Sequence, residues 1–186
     1  MLVVGWPNAE AEAYKADVEG NYLRTLDLAP EFAERVRRAT RAERFSVGAC
    51  PNFFRKPFGP GWALVGDAGY TKDPITAQGI PDAFHDAQRC AAALDETFSH
   101  GRSFEEAMTE YQRARDVHAM PIYEFTTQLA TLDPPPPEMQ QLLGAVHGNQ
   151  DAMDAFVSVT AGSVSPVEFF DPDNVGRIFG AASASV

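Results

Sequence analysis

The chain has 186 residues, 45% of them hydrophobic and 22% charged, which suits a folded core and argues against wholesale disorder. Fifteen Lys and Arg against 26 Asp and Glu leave a net charge of −11, a balance that disfavours nucleic acid or an anionic membrane as partner. Two cysteines, Cys50 and Cys90, are too few for a disulfide scaffold and lack the spacing of a zinc or redox motif. The apolar opening at residues 1–6 stops at Pro7 with no basic residue before it, and no later run reaches the roughly 18 residues of a membrane span. These features predict a soluble protein of a reducing, cytoplasmic compartment.

In chain order, Leu2 to Trp6 reads as a short buried strand, and Asn8 as a cap for the helix that follows. Tyr14, Val18 and Tyr22 recur every four residues, with Leu26 next and Gly20 a candidate break. Pro30 opens a second helix to about Ala42, with Phe32 and Val36 on one side. Arg35, Arg37, Arg38 and Arg41 form a face best read as solvated. Extended pieces around Asn52-Phe53-Phe54 follow. Then comes Trp62-Ala63-Leu64-Val65, a continuous apolar run of the kind covered on both faces of a parallel sheet. Asp67 falls just past its carboxyl end, where open α/β sheets bind ligands.

Residues 68–79 form a loop rich in Gly, Pro and Thr. A long helix is expected from Pro81 to about Ser99, with Ala83, Phe84, Ala87, Cys90, Ala91, Leu94 and Phe98 on one apolar stripe. Ser103-Phe104-Glu105-Glu106 is a capping box. The helix it opens directs Phe104, Met108, Tyr111, Ile122, Phe125 and Leu129 inward, with a kink expected at Pro121. Pro134 to Pro137 ends it. Shorter helical pieces follow, including 150–159 and starts at Ser165-Pro166 and Asp171-Pro172.

The chemistry concentrates in Gly66-Asp67-Ala68-Gly69 and the loop through Pro74, Ala77, Gln78, Gly79 and Ile80. A carboxylate at a strand end suits sugar or polyol hydroxyls. Small neighbours let a bulky ligand approach the backbone, and a helix N-terminus suits a group that is or becomes negative. Lys72 and Asp73 read as loop residues that are solvated or pair with each other. Cys90 reads as inert packing, and His85, His100, His118 and His147 show no metal spacing.

The order strand, Gly-Asp-Ala, Pro-containing loop, Gln-Gly and long helix resembles the second flavin-binding segment of the group A FAD-dependent monooxygenases, the para-hydroxybenzoate hydroxylase-like family. The resemblance is carried by residues 45–130. It implies a helix-rich α/β fold: the C-terminal half of a Rossmann-like FAD-binding domain, preceded by the end of a substrate-binding part at 1–44 and followed by a helical tail at 131–186. It further implies that Gly66, Asp67 and Ala68 meet the cofactor, with Asp67 on a ribityl hydroxyl. Pro74 would lie beside the flavin ring, Ala77 and Gln78 would shape the loop, and the amides around Gly79 and Ile80 would approach the flavin N1–C2=O edge. NAD(P)H is the implied reductant and a small organic molecule the implied substrate. Thr76 departs from the family by standing where many members place glycine, and Pro81 where many carry a small polar residue.

The family's G-x-G-x-x-G unit, which holds the pyrophosphate, has no counterpart in this chain. The expectation is therefore an incomplete fold, from a fragment, a mis-started gene or a split gene whose other half is a separate N-terminal dinucleotide-binding part. Two rivals remain. One is a non-enzymatic helical module derived from a flavoprotein. The other is a haloacid dehalogenase-like phosphohydrolase, whose carboxylates Phe169-Phe170-Asp171-Pro172-Asp173 and Asp67…Asp73 superficially supply, though in reversed order.

Overall fold

The structure, a computed structural model, describes residues 2–184 and divides into two compact units, Met1–Ala49 and Cys50–Val186. In the first unit Leu2 to Trp6 forms no strand, contrary to expectation. No strand among the described residues lies beside it. The segment is held instead by Trp6, whose ring meets Tyr14 edge-on at 5.0 Å and whose Nε1 donates to Thr25 Oγ1 at 2.7 Å. A 3-10 turn at Asn8–Glu10 leads into α1 (Ala11–Ala16) and α2 (Val18–Leu26), and Asn8 caps neither.

The break between α1 and α2 falls at Asp17 rather than Gly20. Asp17 leaves helical geometry at φ −150°, ψ 75° and its side chain accepts from the Gly20 amide at 2.9 Å. Gly20 serves that cap: a Cβ there would stand 2.0 Å from Asp17 Oδ2. In α3 (Pro30–Arg38) Ala33 is buried and Phe32 exposed, while Arg37 pairs with Asp27 and Arg38 with Glu34. Past its end, Arg41 reaches Glu19 at 3.1 Å. These exposed pairs contribute little individually.

In the second unit the strands are short. β1 (Phe53–Phe54) pairs antiparallel with β4 (Tyr70–Thr71), and β2 (Phe58–Gly59) with β3 (Trp62–Ala63). The second pair is a hairpin turned by Pro60-Gly61, with Gly61 at φ +77°, the left-handed conformation a Pro-Gly turn requires. The apolar run from Trp62 to Val65 is therefore not a strand of a parallel sheet. Trp62 and Val65 are exposed, no parallel pair occurs among the described residues, and Gly66 at φ +54° ends the extended stretch.

Helices dominate. α4 (Gly79–Phe98) and α5 (Phe104–Leu129) pack together over a core of Phe58, Cys90, Ala93, Ala107, Met108 and Tyr111. Ser103 caps α5, its hydroxyl accepting from the Glu106 amide at 3.3 Å and donating to the Glu106 carboxylate at 2.8 Å, in place of the reciprocal backbone bond of a full capping box. α5 runs through Pro121, which removes one helical donor without ending the helix.

The buried face of α4 differs from its expected apolar stripe. It comprises Asp82, Asp86, Cys90 and Ala93, whereas Phe84 is 73% exposed and Phe98 also faces outward. Leu129 is exposed at the end of α5. Beyond α5, α6 (Pro137–Val146), α7 (Gln150–Thr160), α8 (Pro166–Phe169) and α9 (Pro172–Ala184) gather a second core of Leu142, Val146, Val159, Phe169 and Ile178. Phe125 of α5 joins it, 5.8 Å from Phe170. No helix among the described residues is long and apolar enough to cross a membrane.

This burial pattern separates two substitutions that hydrophobicity alone would not. Met108→Ala should destabilise by about 2–5 kcal/mol through the cavity it leaves. Phe84→Ser should stay within about 0.5 kcal/mol of the parent. Urea denaturation of both variants checks the assignment of the α4 and α5 faces.

Candidate functional site

The site is organised by the turn after β3. Gly66 begins a 3-10 turn, Gly66–Ala68, and its amide donates to Asp86 Oδ2 of α4 at 3.1 Å. The turn lies so close to α4 that a Cβ at Gly66 would meet the Ala83 Cβ at 2.9 Å. Asp86 is 1% exposed; burial raises its pKa, an effect the Gly66 amide and then Arg115 partly offset. Docked in this way, the turn presents Asp67 at the surface. Asp67 Oδ1 sits 3.9 Å from where a Gly79 Cβ would stand, and no described group pairs with its carboxylate.

The loop back to α4 is tied at each step. Asn52 Oδ1 accepts from the Asp73 amide at 2.7 Å, and Asp73 Oδ1 accepts from Ile75 N at 3.0 Å, capping the 3-10 turn Pro74–Thr76. Thr76, buried, shares a hydroxyl–hydroxyl bond of 2.8 Å with Thr126 of α5. Ala77 then adopts a left-handed conformation at φ 56°, a cost that this network holds in place. The Gln78 side chain turns inward, donating to Thr76 O at 3.2 Å and to Thr160 O at the end of α7.

Gly79 and Ile80 are the first two residues of α4, and among the described residues no protein acceptor takes their amides. Pro81 occupies the third helical position, not the first, and has no amide to offer. The structure thus brings Gly66, Asp67 and Ala68 to the start of α4 at Gly79 and Ile80. Pro74 and Ala77 lie exposed on the connecting loop, and the Gln78 side chain is withdrawn into the interior.

Behind this rim lies a set of buried polar groups. Lys72, expected to be solvated or paired with Asp73, is buried and paired with Asp82. Its ammonium stands 5.1 Å from the centre of the Tyr70 ring, which stacks on Phe54 at 4.6 Å. Arg115 lies over the same two rings, donates to Arg55 O at 3.1 Å and pairs with Asp116 at 2.7 Å. A cavity of about 20 Å³ opens between Gly66, Asp67, Tyr70, Lys72, Gly79 and Asp82, room for one oxygen-sized group.

Tyr70, Lys72, Asp82, Asp86 and Arg115 were not among the sequence candidates. A signal was present: Asp82, Asp86 and Cys90 recur every four residues, in register on one face of α4.

His85 and His118 also meet, ring centroids 4.9 Å apart, although their sequence separation gave no sign of it. Burial, aided by Arg89 and His85, holds the His118 pKa below its ordinary value. Cys90 is buried with its thiol pKa raised by burial and by Asp86. Asp171 caps α9, its Oδ1 accepting from Asp173 N at 2.9 Å. With Asp73 capping its own turn, two carboxylates that a phosphohydrolase would need are engaged as caps. No cluster of three or more His, Cys, Asp or Glu suited to a metal occurs among the described residues. Compared with family models, with curated proteins and with solved structures, the chain matches none.

Two measurements test this electrostatic picture. Lys72→Met, which strands Asp82 without its cation, should cost about 3–5 kcal/mol, and the double substitution Lys72→Met, Asp82→Leu should recover most of it. For His118 the unfolded chain binds the proton more readily than the folded one, so stability is full above the ordinary histidine pKa of about 6.5 and falls as pH drops below it. His118→Gln should flatten that fall in denaturation midpoints measured between about pH 7 and pH 5.

Proposed function

We propose that residues 45–130 form the flavin-contacting C-terminal segment of an FAD-dependent, NAD(P)H-linked monooxygenase acting on a small organic substrate. The observation that carries this reading is the juxtaposition of Asp67 with the start of α4. Two pieces twelve residues apart, from Asp67 to Gly79, are docked side by side by Asp86 and Gly66 with their ligand-capable groups left free. The order of residues that resembles the flavoprotein motif is thus accompanied by an arrangement able to use it.

In this reading each residue has a defined part. The Asp67 carboxylate, exposed and unpaired, accepts from a ribityl hydroxyl. The amides of Gly79 and Ile80 point out of a helix N-terminus, which favours a ligand edge that is or becomes negative. Pro74 and Ala77 shape the loop, and Gln78 braces it from inside. The exposed Ile80 and Phe84, one helical turn apart, offer apolar surface beside the ligand. When bound, FAD supplies the electron transfer and oxygen chemistry, with NAD(P)H as reductant, and the protein contributes binding, orientation and electrostatics.

The pyrophosphate-holding glycine unit belongs, in this reading, to sequence outside these residues. The two free cysteines accord with the cytoplasmic setting proposed for the chain.

The test is FAD titration of the 186-residue chain, followed by amide NMR. The chain should purify colourless and bind added FAD weakly, with shifts centred on Asp67, Gly79 and Ile80. Asp67→Ala should weaken that binding by about tenfold or more, as loss of a hydrogen bond to a charged group does. Absence of shifts at those amides in millimolar FAD would refute the reading. Tight stoichiometric yellow binding would instead refute the half-site assignment.

A further inference from the structure

His85 of α4 and His118 of α5 meet across the helix pair, with ring centres 4.9 Å apart and planes inclined at 69°. Buried neighbours fix both backbones. His85 precedes Asp86, which is 1% exposed and accepts from the Gly66 amide, and His118 precedes Ala119, which is fully buried. Further along, the same two helices close over Cys90, Ala107, Met108 and Tyr111. His85 is exposed and His118 half-buried. Among the described residues no hydrogen bond or ion pair engages either imidazole, whereas His100 stands 3.6 Å from Asp95.

The separation of the rings suits two ligands of one ion. An imidazole nitrogen binds a late first-row divalent metal at about 2.0–2.1 Å, which sets two ring centres about 4.5–5.2 Å apart in neighbouring square-planar or tetrahedral positions. The rings now pack edge to face. Bringing one nitrogen of each to a common point needs rotation about χ2, a broad torsion for histidine. The helices already hold the rings at chelating distance, so little ordering is left for binding to impose.

The surroundings choose the class of cation. Hard ions such as Mg²⁺ and Ca²⁺ require several oxygen ligands. The carboxylates flanking His85 on the buried side of α4 are committed, Asp82 to Lys72 and Asp86 to the Gly66 amide. Arg89, one turn beyond His85, acts on His118 as a repelling cation. An ion held by charge alone is therefore disfavoured, whereas Zn²⁺, Cu²⁺ and Ni²⁺ bond to a neutral imidazole nitrogen.

We propose that His85 and His118 form a two-histidine site for a late first-row divalent metal ion, which clamps α4 to α5 and keeps water in its remaining positions on the exposed His85 side. No group of three or more metal-ligating side chains occurs among the described residues, so this is a reversible site rather than a closed structural centre. The flavin reading gives neither histidine a part, and the two readings stand or fall separately.

The experiment titrates the 186-residue chain, freed of metal by chelator, with Zn²⁺, Cu²⁺ and Mg²⁺, and follows amide and histidine side-chain NMR signals. Zn²⁺ should shift the His85 and His118 rings together and saturate at one ion per chain. Cu²⁺ should bind more tightly than Zn²⁺, and Mg²⁺ should leave both rings unmoved. His85→Ala, at an exposed position, should weaken Zn²⁺ binding by about tenfold or more, whereas His100→Ala should change nothing at this pair. Zn²⁺ should also raise the denaturation midpoint of the parent chain but not that of His85→Ala. Zn²⁺ affinity undiminished in His85→Ala, shifts confined to His100 or His147, equal binding of Mg²⁺, or unmoved His85 and His118 rings in millimolar Zn²⁺ would each overturn the proposal. If His85→Ala does not keep the parent's amide spectrum, the joint movement of the two rings in the parent chain decides.

Discussion

The bond between the Gly66 amide and the Asp86 carboxylate governs the arrangement of the site. It is a buried, charge-assisted contact, and it draws the turn after the β2–β3 hairpin onto the side of α4. Only glycine can stand there, because the backbone is left-handed and Ala83 leaves no room for a Cβ. The layout of the candidate site follows from that docking. Asp67, one residue on, is carried past the helix to its open end, and the loop from Tyr70 to Gln78 must close the remaining distance. A buried carboxylate is costly unless hydrogen-bonded, and a backbone donor and the nearby Arg115 offset part of that cost for Asp86.

The loop shows how such a placement is kept. Thr76 stands where the resembling family tends to carry glycine, and its hydroxyl bonds to Thr126 of α5. The departure thus has a structural use: it fastens the loop to the helix pair. Ala77 in a left-handed conformation is the corresponding strain, tolerated between Thr76 on one side and the inward-turned Gln78 on the other. Local geometry of this kind is common where backbone must present amides outward.

How much of this was legible in the sequence depended on whether the signal was local. Caps and helix starts were readable because they depend on neighbours: Ser103 with Glu106, Ser165 before Pro166 and Asp171 before Pro172 all behave as their spacing implies. The α4–α5 pair and the shorter helices beyond also appear where periodicity put them. The orientation of α4 did not follow, because Phe84 and Phe98 outweighed Asp82 and Asp86 in an apolar count, whereas Lys72 and the Gly66 amide made the carboxylates the buried side. Those partners lie ten and twenty residues away, beyond the reach of helical periodicity. The strand expected at Leu2–Trp6 and the parallel sheet around Trp62–Val65 failed for a related reason. An apolar run shows that a segment seeks cover, but not whether that cover is a neighbouring strand, an aromatic ring or nothing at all. Of the site itself, Asp67 and the head of α4 were evident as residues. The groups that hold them together were not.

The inward turn of Gln78 has a consequence for the C-terminal helices. Its amide reaches the last residue of α7, and Gly162 lies so near that a Cβ there would come within 2.6 Å of Gln78 Oε1. The stretch after residue 130, expected as a helical tail, therefore carries a positional requirement set 82 residues upstream of Thr160. Drift in that tail would be free along its outer faces and constrained at the Thr160–Gly162 corner, so that sequence divergence there would register first as a change in loop shape at the head of α4.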